Sequence, residues 1–201
     1  DTGSVQYTAA RSEASVKATV ENVISKLNDF KKELDRLTYI DVDGDNNGPL
    51  VTDPAVGRLK SQLKKLTITA LSGHADQNIY LSTLGIKTNS SGEYYFDKVT
   101  FGKTYTNNPE YFSALKDDNI STSVLTATAT KSQFTKIPSG TYEVQYDSGT
   151  STWKFGTTNL VRSDYNGGSR FSSVTYPGLV IDTTDSNPSA FNVLVGKSFS
   201  Q

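Results

Sequence analysis

The chain has 201 residues, enough for one large domain or two small ones, and its 20 Lys and Arg against 21 Asp and Glu leave a net charge of −1. No global positive field is available to hold nucleic acid or an anionic membrane. With no Cys and one histidine, His74, disulfides, thiolate nucleophiles, Cys-based metal centres and any site needing two imidazoles are excluded.

No run approaches ~18 apolar residues, and the opening Asp1-Thr2-Gly3-Ser4 has neither the basic nor the apolar region of a secretory signal. The lack of any Met, an initiator included, leads to the expectation of a fragment or a processed chain. Composition changes along the chain. Residues 1–66 hold 20 charged side chains, whereas residues 121–201 hold 11 charged side chains with 27 Ser or Thr. Two kinds of surface are being built, and the expected domains are 1–118, helical and coiled-coil-like with an attached β-hairpin, and 119–201, a Ser/Thr-rich antiparallel β domain.

The first element is predicted from apolar spacing. Val16, Val20, Val23, Leu27, Phe30, Leu34 and Leu37 recur at alternating intervals of 4 and 3, a heptad seam that keeps one narrow stripe facing a partner helix. This predicts a helix over residues 9–38, whose opposite face carries Lys17, Glu21, Lys31, Lys32, Glu33 and Asp35 as solvated surface. The polar stretch 41–48 ends it. Asp53-Pro54 then supplies a capping oxygen and a proline suited to a first helical position. Val56, Leu59, Leu63, Leu66 and Ala70 continue a second helix, with Gly73 as its expected stop. The two should form a hairpin whose flanking Ile24 and Ile68 call for a third helix, from further chain or another subunit.

Leu84-Gly85-Ile86-Lys87 and Glu93-Tyr94-Tyr95-Phe96-Asp97 flank Asn89-Ser90-Ser91-Gly92, which reads as a small β-hairpin. Asn108-Pro109-Glu110 opens a short helix through Tyr111, Phe112 and Leu115. From Ser121 the pattern is β. Residues 122–130 read as the first strand, Tyr142, Val144 and Tyr146 alternate, and Trp153 with Phe155 resumes after Asp147-Ser148-Gly149. Runs at 171–176, 179–182 and 191–195 follow, separated by Asn166-Gly167-Gly168, Pro177-Gly178 and Asn187-Pro188. The predicted fold class is α+β: an antiparallel helical hairpin with a heptad seam plus a small β-hairpin, followed by an antiparallel β domain.

Three chemical signals are weak. Asp41, Asp43 and Asp45, with Asn47, have the oxygen spacing of a calcium loop, but Asn46 stands where the loop needs Gly and Thr52 where it needs a bidentate Glu. His74 lacks any Gly-x-Ser-x-Gly elbow and reads as a cation at a helix C-terminus. Trp153 amid Tyr142, Tyr146 and Tyr165 could stack a sugar, but alternating aromatics in a strand are more often core. No catalytic residue, metal or cofactor is expected.

As a set, Val23-Ile24-Ser25-Lys26-Leu27-Asn28-Asp29-Phe30, then Gly48-Pro49-Leu50-Val51-Thr52-Asp53, then Leu84-Gly85-Ile86 followed by Gly92-Glu93-Tyr94-Tyr95-Phe96-Asp97, then Asn108-Pro109, resembles the bacterial flagellar hook-associated protein 2 family, the filament cap proteins. The resemblance covers about residues 9–115. It departs from the family around the aromatic-Asn core of the first helix, here Leu27-Asn28 followed by Phe30. It departs again in the β unit that follows Asn108-Pro109, read as an added head domain.

The resemblance implies a non-enzymatic protein without cofactors, exported by the flagellar type III route and located outside the cell at the filament tip. Its implied partners are further copies of itself in a ring, flagellin and the hook-filament junction protein, with no nucleic acid and no membrane. The subunit interface expected on the seam comprises Val16, Val20, Val23, Leu27, Phe30 and Leu34. A surface adhesin or glycan-binding module on a coiled-coil stalk is the alternative. A stalk would continue its heptads, however, where this chain turns back at residues 41–53.

Overall fold

Ser12 starts the first helix in the computed structural model, which describes residues 12–44, 46–75, 77–133 and 135–199. Its Oγ accepts the Ser15 N–H at 3.3 Å, satisfying one of the donors that a helix leaves open at its start. Helix α1 (Glu13–Leu37) follows for 25 residues, a rod of about 37 Å at a rise of ~1.5 Å per residue. The part of the expected helix at residues 9–11 lies outside the described residues. At the far end the Thr38 hydroxyl donates to Leu34 O at 2.7 Å. The chain then returns through the N–H groups of Gly48 and Leu50, which donate to Tyr39 O and Leu37 O at 2.8 and 2.9 Å.

Asp53 caps α2 (Pro54–Lys65) by accepting the Ala55 N–H at 2.7 Å, with proline at the first turn as its spacing predicts. The helix does not continue to Gly73. It tightens into a single 3₁₀ turn over Leu66–Ile68 and ends. The run Leu66-Thr67-Ile68-Thr69 sets three β-branched residues together, which restricts side-chain freedom in a helix. Thr67 O is instead committed to the Ser82 N–H at 3.2 Å.

The chain divides into two compact units, one of residues up to Thr69 with Tyr80–Phe112, the other of Ala70–Ile79 with Ser113 onward. Two short strands, β1 (Ala70–Leu71) and β2 (Ile79–Tyr80), precede the hairpin of β3 (Ile86–Thr88) and β4 (Tyr94–Phe96). That hairpin is where the Gly-rich spacing places it, paired antiparallel as Ile86 with Phe96, Lys87 with Tyr95 and Thr88 with Tyr94. Helix α3 (Lys98–Asn107) had no apolar periodicity to announce it. It exists because the Asp97 carboxylate accepts the Val99 and Thr100 N–H groups at 3.0 and 3.1 Å. Phe101 is also buried beside Phe96 and Phe112, with ring centroids 5.1 Å away in each case. The turn opened by Asn108-Pro109 is 3₁₀ over Pro109–Leu115.

The second unit is an eight-stranded antiparallel sheet of β5 (Asn119–Thr122), β6 (Ala127–Thr130), β7 (Gly140–Asp147), β8 (Thr152–Phe155), β9 (Thr158–Tyr165), β10 (Gly168–Ser172), β11 (Val180–Thr183) and β12 (Phe191–Gly196). Its order is β5-β12-β7-β8-β9-β10-β11-β6, so the two outermost strands are consecutive in the chain and the sheet curls toward a barrel. Strand β9, unread in the sequence because its apolar residues Leu160 and Val161 are adjacent and do not alternate, is shared between two neighbours. Its first half pairs with β8 and its second half with β10. Residues 122–130 are not one strand: the chain turns at 123–126 and divides them between β5 and β6. Asn166 and Gly167 both take positive φ, 48° and 81°, the conformation a two-residue hairpin between right-twisted strands requires.

One apolar cluster fills this unit, with Val144, Phe155, Phe171, Ile181 and Val193 all at 1% exposure or less. Trp153 belongs to it, its ring 4.9 Å from that of Phe171, so the tryptophan is core and not an exposed stacking platform. Gly73 lies against β12. A Cβ there would come within 1.8 Å of Val195 O, leaving only glycine able to fit. His74 follows it, six residues after the 3₁₀ turn ends at Ile68, and its Nε2 donates to Lys197 O at 3.0 Å. The helix-dipole role expected for it is therefore replaced by a clasp on the end of the sheet.

Phe171→Ala should lower the unfolding free energy of this unit by about 3–5 kcal/mol through lost burial and a residual cavity. Urea unfolding followed by Trp153 fluorescence checks it.

Candidate functional site

The helical unit is organised around one side-chain amide. Asn28 sits one position off the apolar seam of α1, and its Nδ2 donates to Tyr94 O while its Oδ1 accepts the Tyr94 N–H, both at 2.8 Å. Tyr94 and Thr88 face each other in the hairpin, and Asn28 serves the backbone groups of Tyr94 as another strand would. The hairpin edge is thereby closed, which removes a template for unwanted strand pairing. The Tyr94 side chain, 3% exposed, runs on to α2 and donates its hydroxyl to Leu63 O at 2.5 Å. Leu63 O, which already accepts the Leu66 N–H at the helix end, thereby gains a second donor. Burial pushes the Tyr94 phenol above its ordinary value, which keeps it a donor.

Beside Tyr94 a cleft of about 310 Å³ opens between α1, α2 and the hairpin turn. Leu34, Leu63 and Tyr94 contribute apolar lining, and Lys31, Lys60 and Lys64 surround a single carboxylate, Asp35. Asp35 accepts from Lys31 at 2.7 Å, one turn back on α1, and pairs with Lys60 of α2 at 2.8 Å. Hydrogen bonds from Lys31 and Lys60 hold its carboxyl below the usual range. Lys60 also donates to Thr38 Oγ1 at 2.7 Å. Lys64 has no such partner among the described residues. The lining therefore carries three lysines and one carboxylate, with Lys31 and Lys60 paired to it and Lys64 exposed at the rim. Lys31 and Asp35, which the seam assigned to solvated surface, are half-buried here.

The seam residues are distributed unevenly. Val16, Val20 and Leu34 are buried within their own chain at 5%, 0% and 5% exposure, and Leu34 lines the cleft. Val23 and Leu27 are half-buried, and Phe30 is exposed at 43%. In contacts given by the fold, α1 packs on β4 as well as on α2. Ile68, expected to need cover, is 68% exposed.

At the return loop the Asp41 carboxylate accepts the Asn46 N–H at 3.0 Å, and the Asn47 amide oxygen accepts the Asp41 N–H at 2.8 Å. Asp45 lies outside the described residues. No group of three or more His, Cys, Asp or Glu that could hold a metal occurs among the described residues, and none of their helices is long and apolar enough to cross a membrane.

The residues that set this geometry, Asn28, Tyr94 and Lys60, carried no chemical signal of their own. Asn28 and Tyr94 were visible as members of the two motifs that carry the family resemblance, with no sign in either that one binds the other. A family model for the C-terminal part of flagellar hook-associated protein 2 matches residues 1–168. The chain belongs to that family. The match extends beyond the segment whose motifs carried the resemblance and takes in β5 to β9 of the second unit. No curated protein and no solved structure matches the chain.

In this member of the hook-associated protein 2 family, Asn28→Ala should strand both backbone groups of the buried Tyr94. The expected loss is about 2–6 kcal/mol, at ~1–3 kcal/mol for each unsatisfied group. Tyr94→Phe, which removes one of two donors to Leu63 O and leaves the Leu66 N–H in place, should cost less, and chemical denaturation of both variants checks the order.

Acid sensitivity follows from Asp97. Its carboxylate is bonded to Lys87 and accepts from Thr100 through backbone and hydroxyl, which holds its pKa well below the ordinary carboxylate value. A carboxylate depressed in the folded state contributes stability that is present above its unfolded value, ~4, and is lost as pH falls toward the folded value. Stability of the wild type should therefore decline below about pH 4, and that decline should be shallower in Asp97→Asn, as unfolding measured across the acid range will show.

Proposed function

We propose that this chain is part of a flagellar filament cap that self-associates at the filament tip and promotes the assembly of flagellin there, a structural and not an enzymatic role. The observation that carries this reading is the family match over residues 1–168 of the 201. Further copies of the chain, flagellin and the hook-filament junction protein are the proposed partners, and export through the flagellar type III route the proposed path to the cell exterior.

The surface of the helical unit supports the reading. Phe30, Leu59 and Ile68 are exposed at 43%, 37% and 68% on its helical segments, and such apolar side chains gain by being covered. Of the seam, Val23, Leu27 and Phe30 make the direct subunit contact in this proposal. Val16, Val20 and Leu34 contribute by fixing α1 within its own chain. A helix of a neighbouring subunit laid along Phe30 and Ile24 would complete the packing that one chain leaves open. The β unit carries little charge and many hydroxyls, a surface suited to contacts that are individually weak and remade as subunits are added. The competing adhesin reading is weakened by Trp153, whose burial takes the tryptophan out of the aromatic platform it would use.

Loss of the gene from its bacterium should yield bare hooks and unpolymerised flagellin in the medium. Complementation with the wild-type sequence should restore filaments, and with the Leu27→Asp, Phe30→Asp double variant should not. Normal filaments in the deletion strain, seen by electron microscopy, would contradict the cap reading.

A further inference from the structure

We propose that the lysine cleft of the helical unit is the socket of a head-to-tail contact between copies of this chain, and that its occupant is the return loop Ile40-Asp41-Val42-Asp43-Gly44 of the neighbouring copy. The proposal rests on the self-associating cap reading and names the two surfaces that would meet.

The socket has two chemical demands. Half-buried Leu63 offers apolar surface beside the buried walls Leu34 and Tyr94, and the exposed Lys64 lacks a carboxylate partner among the described residues while Lys31 and Lys60 share Asp35. Lys31 and Lys60 are held in place by Asp35, so the positive rim is set before anything binds. A fitting occupant must present an apolar side chain next to an acidic one, on a projecting backbone.

The return loop of the same unit has that chemistry. Val42 is 97% exposed and Ile40 69% exposed, and Asp43 beside Val42 is exposed as well. With Tyr39 at 55%, three large apolar side chains lie exposed within four residues, and such a cluster, unlike a single exposed side chain, gains by being covered by a partner. The loop is also pre-ordered. Asp41 O accepts the Gly44 N–H at 3.1 Å, the Asp41 carboxylate accepts the Asn46 N–H at 3.0 Å, and the Asn47 amide brackets the Asp41 N–H at 2.8 Å. Little conformational freedom remains to be lost on docking, which favours binding. With Val42 against Leu63 at the mouth of the cleft, Asp43 meets Lys64, and both surfaces lose the features that leave them unsatisfied alone.

Socket and plug are different patches of one molecule. Such a contact is heterologous: it adds copies in one rotational sense and produces a ring where the rotation closes. Its opposite charges would also orient approaching subunits before contact, with a strength that falls as salt rises.

Sedimentation equilibrium of the full chain at low salt and at about 1 M salt, where the Debye length is ~3 Å, tests this with three variants: Asp43→Lys, Lys64→Glu and the two combined. Both positions are exposed, and matching thermal melts establish that the variants fold. The wild type should self-associate, more weakly at high salt. Each single reversal should weaken low-salt association about tenfold or more, equivalent to ~1.4 kcal/mol. The double reversal should restore it to within about threefold of wild type, because every socket then meets its complement again. If the wild type associates and the single reversals leave association unchanged, or the double reversal fails to restore it, the loop-in-cleft contact is wrong while the self-associating cap reading stands. A wild-type chain that stays monomeric at every concentration overturns both.

Discussion

A single asparagine determines how the helical unit holds together. A two-stranded hairpin is at best marginal alone in water, and an amphipathic helix with a narrow stripe needs something to lie against. Asn28 answers both by giving the edge strand the two hydrogen bonds another strand would have given it. The strand residue so bound is Tyr94, whose hydroxyl continues to the last turn of α2. Three elements far apart in sequence are therefore fixed through one buried residue. The cost of losing the clamp is asymmetric, since unmade backbone bonds in a buried place are more harmful than made ones are helpful.

From that clamp the cleft follows. With Tyr94 fixed as one wall, Leu34 and Leu63 are brought to face it, and the i, i+4 pair Lys31 and Asp35 is turned from ordinary helix surface into a charged rim completed by Lys60. The electrostatics are local, in keeping with a chain whose overall charge is only −1. In the cap reading proposed for this member of the hook-associated protein 2 family, contacts between copies matter more than catalysis. The apolar groups left in water on the helices and the return loop are the places where such contacts would gain most.

Much of the fold was legible because it rests on local rules. The 4 and 3 spacing marks α1, Asp53-Pro54 marks the start of α2, and the Asn89 to Gly92 turn marks the hairpin. What was not legible depends on partners distant in sequence. Helix α3 has Val99, Thr100, Thr104 and Thr106 in place of strong helix formers and survives on the Asp97 cap and the burial of Phe101. Strand β9 lacks alternation because most of its length faces water. The end of α2 was misplaced because its apolar spacing runs on through Leu66 and Ala70, although Thr67 and its neighbours spend their backbone groups elsewhere. Of the site, the seam was readable, but neither the split of its residues between buried and exposed nor the pairing of Asn28 with a strand 66 residues away could be read from spacing.

The most direct test of the central claim is the hydrogen exchange of the Tyr94 backbone amide. If Asn28 closes the edge of the hairpin, that N–H opens only when the helical unit itself comes apart, and it should exchange as slowly as the interior amides of α1 near Val20. Exchange at the rate of an unpaired, solvent-facing strand edge, with α1 still protected, would show that the asparagine does not hold the hairpin to the helix.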